Sequence, residues 1–193
     1  MESPKEGLAI DNQRQWFVLR ATYNRQKQAY DYIVNKGVEA YLPLHYVQKL
    51  VNGKRKRLLE PYLPQLLFVY ASDGEIRDLV EDTPELSFLT YYYNHFKKTA
   101  EGKNPPLVVP YRSMMNFIRV TSVENEHIKV VSSEQCHYKS GDIVRVIEGD
   151  FAGVEGRVAR VSGQQRVVVE IEGVCLITTA YIPSAFLAKK DTQ

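Results

Sequence analysis

From Lys139 onward the chain is written in short β-rich runs, Ile143–Ile147, Gly156–Val161, Arg166–Ile171 and Val174–Thr179, divided by glycine-bearing turns. The turns fall at Gly149-Asp150, Ala152-Gly153, Ser162-Gly163 and Glu172-Gly173. Short strands at regular spacing bury their apolar faces by curling back on themselves, so this stretch predicts a small β-barrel or sandwich. Pro183-Ser184-Ala185-Phe186-Leu187 reads as its closing turn.

The pattern before it is different. Trp16 to Ala21 is aromatic and β-branched, as in a buried strand. Ala29 with Ile33 and Tyr30 with Val34 repeat at four residues, which predicts a helix capped by Asn24 and stopped by Gly37 in a left-handed conformation. Glu39 to Leu44 reads as strand. Asn52-Gly53, inside Val47–Leu58, is the strongest short-range hairpin signal and places Lys54-Arg55-Lys56-Arg57 on a protruding hairpin. Leu66 to Tyr70 is a second buried strand, entered through Pro61 and Pro64, whose missing N–H groups keep them out of a central ladder. A helix follows from an Asp73 cap, with Ile76, Leu79 and Val80 on one face, and Thr83-Pro84 ends it before a strand over Leu86–Tyr93.

Strand, helix, strand, hairpin, strand, helix, strand is the order of a ferredoxin-like α/β sandwich with an inserted hairpin. The expected class is therefore α+β, this sandwich followed by a small all-β barrel. Lys97–Pro106 reads as a loop and a short helix starts at Pro110, carrying Met114, Phe117 and Ile118. The expected boundaries are a loose tail over 1–14, a first domain over 15–119, a linker over 120–138 with a short strand at Ile128–Val131, and the β domain over 139–190.

The 44% apolar content over 193 residues leaves room for two packed cores. Met1-Glu2-Ser3-Pro4-Lys5-Glu6 does not lead into an apolar run as a signal peptide does, and the longest strongly apolar stretch, Leu66–Ala71, is far short of the roughly 20 residues a membrane helix needs. Cys136 and Cys175 lie far apart without a CxxC spacing, which fits reduced thiols. A cytoplasmic protein with no membrane contact is expected. A net charge of only +2 restricts any nucleic-acid contact to local patches.

No reaction is spelled out. The glycines of Gly149–Gly156 form neither GxGxxG nor GxxxxGK[ST], and no helix pattern follows to hold a phosphate. Cys136 and His137 are adjacent, so in an extended chain they point in opposite directions; His45, His95 and His127 show no ligand spacing. Neither an enzyme nor a metal or cofactor site is expected.

Three segments resemble the NusG superfamily of bacterial transcription elongation factors, which join an N-terminal NusG-type domain to a KOW domain, an SH3-like barrel. They are Trp16-Phe17-Val18-Leu19, Pro61 to Val69, and Gly141-Asp142-Ile143-Val144-Arg145-Val146 with the glycine-rich Gly149–Gly156. Val51 to Arg55, Glu60-Pro61 and Leu67-Phe68-Val69 look more like the specialised antiterminator RfaH, and Thr179-Ala180-Tyr181-Ile182-Pro183 like the UpxY-type antiterminators of capsular polysaccharide operons.

The resemblance implies docking on the clamp helices of RNA polymerase through Trp16, Leu63, Pro64, Leu66 and Phe68, with Arg77 and Asp78 in a region that touches the polymerase gate loop. It departs from the family at Leu63 and Leu66, where aromatics are usual, and at Gln65, where glycine or asparagine is usual. It implies contact with the non-template DNA strand through Arg20, Tyr23, Arg25 and Lys27, supported by Lys54 and Arg55 of the basic hairpin. In the KOW domain it implies that Phe151, beside Ile147, faces a protein partner, either ribosomal protein NusE or the termination factor Rho. The β-branched Val167-Val168-Val169 and Ile177-Thr178-Thr179 disfavour the helical refolding known in RfaH, and a monomer with a permanent barrel is expected. A general elongation factor and a KOW-bearing RNA- or ribosome-binding protein are the alternatives; the second calls for a basic barrel face, whereas Glu148, Asp150, Glu155, Glu170 and Glu172 make this one mixed to acidic.

Overall fold

The computed structural model describes residues 14–190, and for 139–142 the backbone alone. Except for Arg14, the tail expected over 1–14 lies outside the described residues. In chain order the elements are β1 (Gln15–Ala21), α1 (Gln26–Asn35), β2 (Glu39–Tyr41), β3 (Leu44–Val51), β4 (Lys54–Pro61), β5 (Leu66–Ala71), α2 (Asp73–Arg77), β6 (Leu89–Tyr91), β7 (Val108–Val109), α3 (Tyr111–Thr121), β8 (Lys129–Val131), β9 (His137–Val146), β10 (Glu155–Val161), β11 (Gln164–Ile171), β12 (Cys175–Thr178) and β13 (Leu187–Lys189). They form two compact units: residues up to Leu42 with Leu63–Pro110, and Pro43–Tyr62 with the chain from Tyr111 onward.

In the first unit the sheet order is β2-β5-β1-β6, all neighbours antiparallel, with β7 also pairing β1. The crossovers β1-α1-β2 and β5-α2-β6 each pass over one strand. Right-handed crossovers put both helices on the same face, the ferredoxin-like arrangement that the element order predicts. β1 and β5 are central, and their runs Phe17-Val18-Leu19 and Leu67-Phe68-Val69 are buried on both sides. Each large side chain buried there contributes about 2 kcal/mol.

Local signals mostly hold. Gly37 takes the left-handed stop at φ +80, and Asn52 and Gly53, at φ 52 and 73, make the two-residue turn that joins Val51 to Lys54 across the hairpin. Two caps differ from expectation. Arg25, not Asn24, is the N-cap of α1 and makes no side-chain cap bond, because Asn24 is itself left-handed at φ 55. α2 is capped by Ser72 instead of Asp73: the Glu75 N–H donates to Ser72 Oγ at 3.3 Å and the Ser72 N–H to Glu75 Oε2 at 2.9 Å. That bond from the Ser72 N–H is the main cause holding the Glu75 carboxyl below its ordinary range. Past Arg77 the helix widens into a π turn over Asp78–Asp82, and a 3-10 turn at Pro84–Leu86 shortens the expected strand to β6.

The second unit holds an antiparallel sheet in the order β13-β9-β10-β11-β12-β8, together with α3 and the β3-β4 hairpin. Ser162 and Gly163, at φ 51 and 78, make the tight β10-β11 turn. α3 buries Met114, Phe117 and Val120, packs on β11 and β12, and its Asn116 Oδ1 accepts the Glu155 N–H at 3.0 Å. The compact units therefore divide the chain elsewhere than the expected boundaries at 119 and 138: helix 111–121 and strand β8, which pairs β12, go with the β sheet.

At the base of the hairpin His45 stacks on Tyr62, ring centroids 4.1 Å apart. Burial lowers the imidazole below its ordinary 6.5, against the opposing pull of Glu60. The folded state thus binds this proton less well than the unfolded chain. The stability tied to neutral His45 is present above 6.5 and is lost as pH falls through the lower folded value. Thermal melts should show a falling Tm from pH 7.5 to 5, and a smaller fall in His45→Phe, which keeps the stack and removes the titration.

Candidate functional site

The β1-α1 corner is built under strain. Tyr23 and Asn24 are consecutive left-handed residues, at φ 57 and 55, and neither is glycine; such residues cost about 1–2 kcal/mol each. The turn is pinned by Ala21 N–H to Gln65 O at 2.8 Å and Thr22 N–H to Phe88 O at 3.1 Å. The product is a tyrosine ring thrown outward, 85% exposed. Beside it the Arg25 guanidinium lies 3.8 Å from the Phe88 ring centroid and 5.6 Å from that of Tyr23, and Arg20 Nε donates to Gln65 Oε1 at 3.1 Å. Arg25 and Tyr23 thus share the corner, and Arg20 at the end of β1 is held by Gln65 of the neighbouring turn. Lys27 sits on the first turn of α1, paired at 2.9 Å with Asp31 in an exposed contact worth roughly 0.3–0.5 kcal/mol.

Gln65 has the same origin. Pro64 and Gln65 are the central residues of a turn closed by Leu66 N–H to Leu63 O at 3.2 Å, with Gln65 at φ 67. Proline followed by a positive φ is a type II turn, whose third position favours glycine or asparagine. Glutamine here accepts the strain, and its side chain holds Arg20.

Of the apolar residues expected to face a partner, Trp16, Leu63 and Phe68 are buried, so they present no surface. Leu67, Phe68 and Val69 are buried in succession, so side chains on both faces of β5 are covered. Pro64 is exposed and Leu66 half-buried, while Arg77 and Asp78 are exposed where α2 passes into the π turn. The accessible residues of the expected set are therefore those of the turn Pro64-Gln65-Leu66 and the α2 end.

The hairpin separates two kinds of residue. Lys49 and Lys56 are directly opposite, next to the Val51–Lys54 pair on the same face, and facing like charges destabilise a ladder. On the other face Leu50, 72% exposed, lies opposite Arg55. Lys54 and Arg55 are both exposed at the tip. Arg57 is engaged by Glu124 and by the Tyr46 ring, 3.8 Å from its centroid.

The β9-β10 loop reverses its expectation. Gly149 and Gly153, at φ +83 and +85, fold the loop back so that Phe151 is only 6% exposed, while Ile147 is 51% exposed. Phe151 is a core residue, and Ile147 is the one facing solvent. The thiols are poor nucleophiles at neutral pH: burial raises Cys136 and pushes Cys175 up to about 12. Among the described residues no group of three or more His, Cys, Asp or Glu is placed to hold a metal, and no helix is long and apolar enough to cross a membrane.

The chain thus joins a ferredoxin-like unit with a strained, basic-aromatic corner to an all-β unit. Residues 14–100 match the family model described as transcription termination factor nusG, and residues 140–170 match the KOW motif. The chain thus carries a stretch similar to the N-terminal part of nusG-type transcription factors, followed by a KOW motif. Two curated relatives are the large ribosomal subunit proteins uL24 of Flavobacterium johnsoniae, 51% identical over 47 residues, and of Flavobacterium psychrophilum, 45% identical over 47 residues. Each match covers 24% of this chain and 44% of the relative, so the chain spans under half the length of the curated relatives it matches. Among solved structures, one described as domain interaction in Thermotoga maritima NusG aligns over 93% of this chain and 98% of that one, at 15% identity and a TM-score of 0.44.

Proposed function

We propose that this protein is a specialised antiterminator that rides on RNA polymerase and promotes read-through of a long surface-polysaccharide operon. The observation that carries the reading is the β1-α1 corner, where backbone strain displays Tyr23 with the Arg25 guanidinium 5.6 Å from its ring centroid. An exposed aromatic ring beside a guanidinium group, with Arg20 close by in sequence, suits the exposed bases and phosphates of a displaced DNA strand. In the other unit, Lys54 and Arg55 at the hairpin tip offer a second exposed basic patch. Polymerase docking falls to Pro64, Leu66, Arg77 and Asp78, and the all-β unit recruits a further factor, NusE or Rho, through the face bearing Ile147. The hairpin and the Thr179–Pro183 segment, with their likeness to RfaH and UpxY-type proteins, favour this branch over a general elongation factor.

Mapping transcript ends in the source cell with and without the protein tests the choice. Read-through confined to one or a few long operons is the expected result. Read-through at nearly every operon would assign the protein to general elongation, and unchanged transcript ends would remove the reading. The 47-residue likeness to uL24 favours a second reading, attachment of the all-β unit to the ribosome, which co-sedimentation of the chain with ribosomal subunits checks.

A further inference from the structure

Between β6 and β7 the first unit carries a loop that the polymerase reading leaves unused. Its frame is fixed at the base by Leu107 N–H to Tyr92 O at 2.7 Å and Asn94 N–H to Pro105 O at 2.8 Å. A second ring closes the tip: Thr99 N–H donates to Lys103 O at 2.8 Å, Gly102 N–H to Thr99 O at 2.9 Å, and Lys103 N–H to Thr99 Oγ1 at 3.2 Å. Between the two, Asn94 Oδ1 accepts the Phe96 N–H at 2.9 Å, and Phe96 stands 74% exposed.

A ring this exposed on an ordered loop forgoes burial that a floppy tip would find more easily. Its surroundings say what it is suited to meet. Lys97, Lys98 and Lys103 are all exposed around it, against the single carboxylate of Glu101, which reaches Lys103 only at 3.8 Å in open solvent. An apolar protein surface closing over Phe96 would have to strip water from the adjacent Lys97 and Lys98 without compensation. A sugar-phosphate backbone instead pairs with the ammonium groups while a base covers the ring.

We propose that this loop is a contact for single-stranded nucleic acid in which Phe96 stacks on a base and Lys97, Lys98 and Lys103 pair with neighbouring phosphates. The contact lies at the opposite end of β6 from the Tyr23 corner, since Ala21 pairs with Leu89 at the start of that strand and the loop follows its end. It stands on its own chemistry and does not depend on polymerase binding. Because stacking and phosphate pairing do not involve the 2′-hydroxyl, DNA and RNA strands are bound alike.

Fluorescence anisotropy of the full chain with labelled single-stranded DNA and RNA, each roughly 12 nucleotides long and within the range such sites cover, tests this. Phe96→Ala is expected to weaken both complexes about tenfold, while Phe96→Trp holds wild-type affinity. Replacing the three lysines by alanine should flatten the dependence of log K on log salt by about two. The proposal is overturned if the wild type binds neither strand, if Phe96→Ala binds as the wild type does, or if only one of the two strands is affected. An unaffected Phe96→Ala alongside intact wild-type binding leaves the Tyr23 corner as the nucleic-acid contact, so the two readings fail separately.

Discussion

Gly156→Ala is expected to destabilise the second unit by about 3 kcal/mol or more, beyond the usual range for one added methyl group. Gly156 lies on β10 opposite Val144 of β9, and its other neighbour is β11. A Cβ built there would run into the Val168 carbonyl oxygen, far inside van der Waals contact, and stand 2.8 Å from Val167 Cγ1. A flexible side-chain end gives way cheaply; a backbone carbonyl in the centre of a sheet does not. Gly163→Ala is the control. Gly163 has open space around its Cα and a φ of +78, so alanine there should cost only about 1 kcal/mol of left-handed strain. Urea unfolding of both variants measures the difference, and equal midpoints would show that β11 can move away.

Arg166→Met is expected to cost about 2–3 kcal/mol. Arg166 sits on β11 and is buried, and its guanidinium donates to the carbonyls of His127 and Thr179, the latter at 3.1 Å, and to Gln164 Oε1 at 2.9 Å. It thereby ties the segment before β8 to the segment after β12. Methionine preserves much of the volume but takes the donor from the buried Thr179 carbonyl and the part-buried His127 carbonyl. Arg166→Lys should recover only part of the loss, since one ammonium cannot reproduce the planar fork. A loss below about 0.5 kcal/mol in urea titrations would mean that water replaces the guanidinium.

Much of this architecture could be read from local chemistry. The central strands announced themselves because Trp16–Leu19 and Leu66–Val69 are continuous apolar runs, and Asn52-Gly53 and Ser162-Gly163 are turn pairs that demand positive φ. Where two neighbouring residues were both good caps, the decision lay one step further: Ser72 wins over Asp73 because Glu75 stands three residues after it and completes the box.

The candidate surfaces were less legible, for a geometric reason. Alternation along a strand separates two faces but does not say whether both are covered, so Trp16, Leu63 and Phe68 looked as available as Leu66. Phe151 is buried while Ile147 is exposed because the fold-back depends on two left-handed glycines acting together. The strain at Tyr23 has no sequence signal, since tyrosine is an unusual choice for φ 57; only the backbone reveals it. The aromatic-lysine loop was legible only as a loop, and its exposed ring depends on the Asn94 and Thr99 hydrogen bonds.

Burial also decides which substitution can test polymerase docking. Phe68→Asp would place a charge inside the first unit and unfold it, whereas Pro64 and Leu66 lie on an accessible turn. The direct measurement is binding of the full chain to purified RNA polymerase from the source cell, comparing wild type with the Pro64→Asp/Leu66→Asp double variant, each confirmed folded by circular dichroism. A stable wild-type complex, weakened at least tenfold by the double variant, is the expected result. No detectable wild-type complex, or a double variant that binds as tightly as the wild type, would contradict the assignment of that turn as the docking surface.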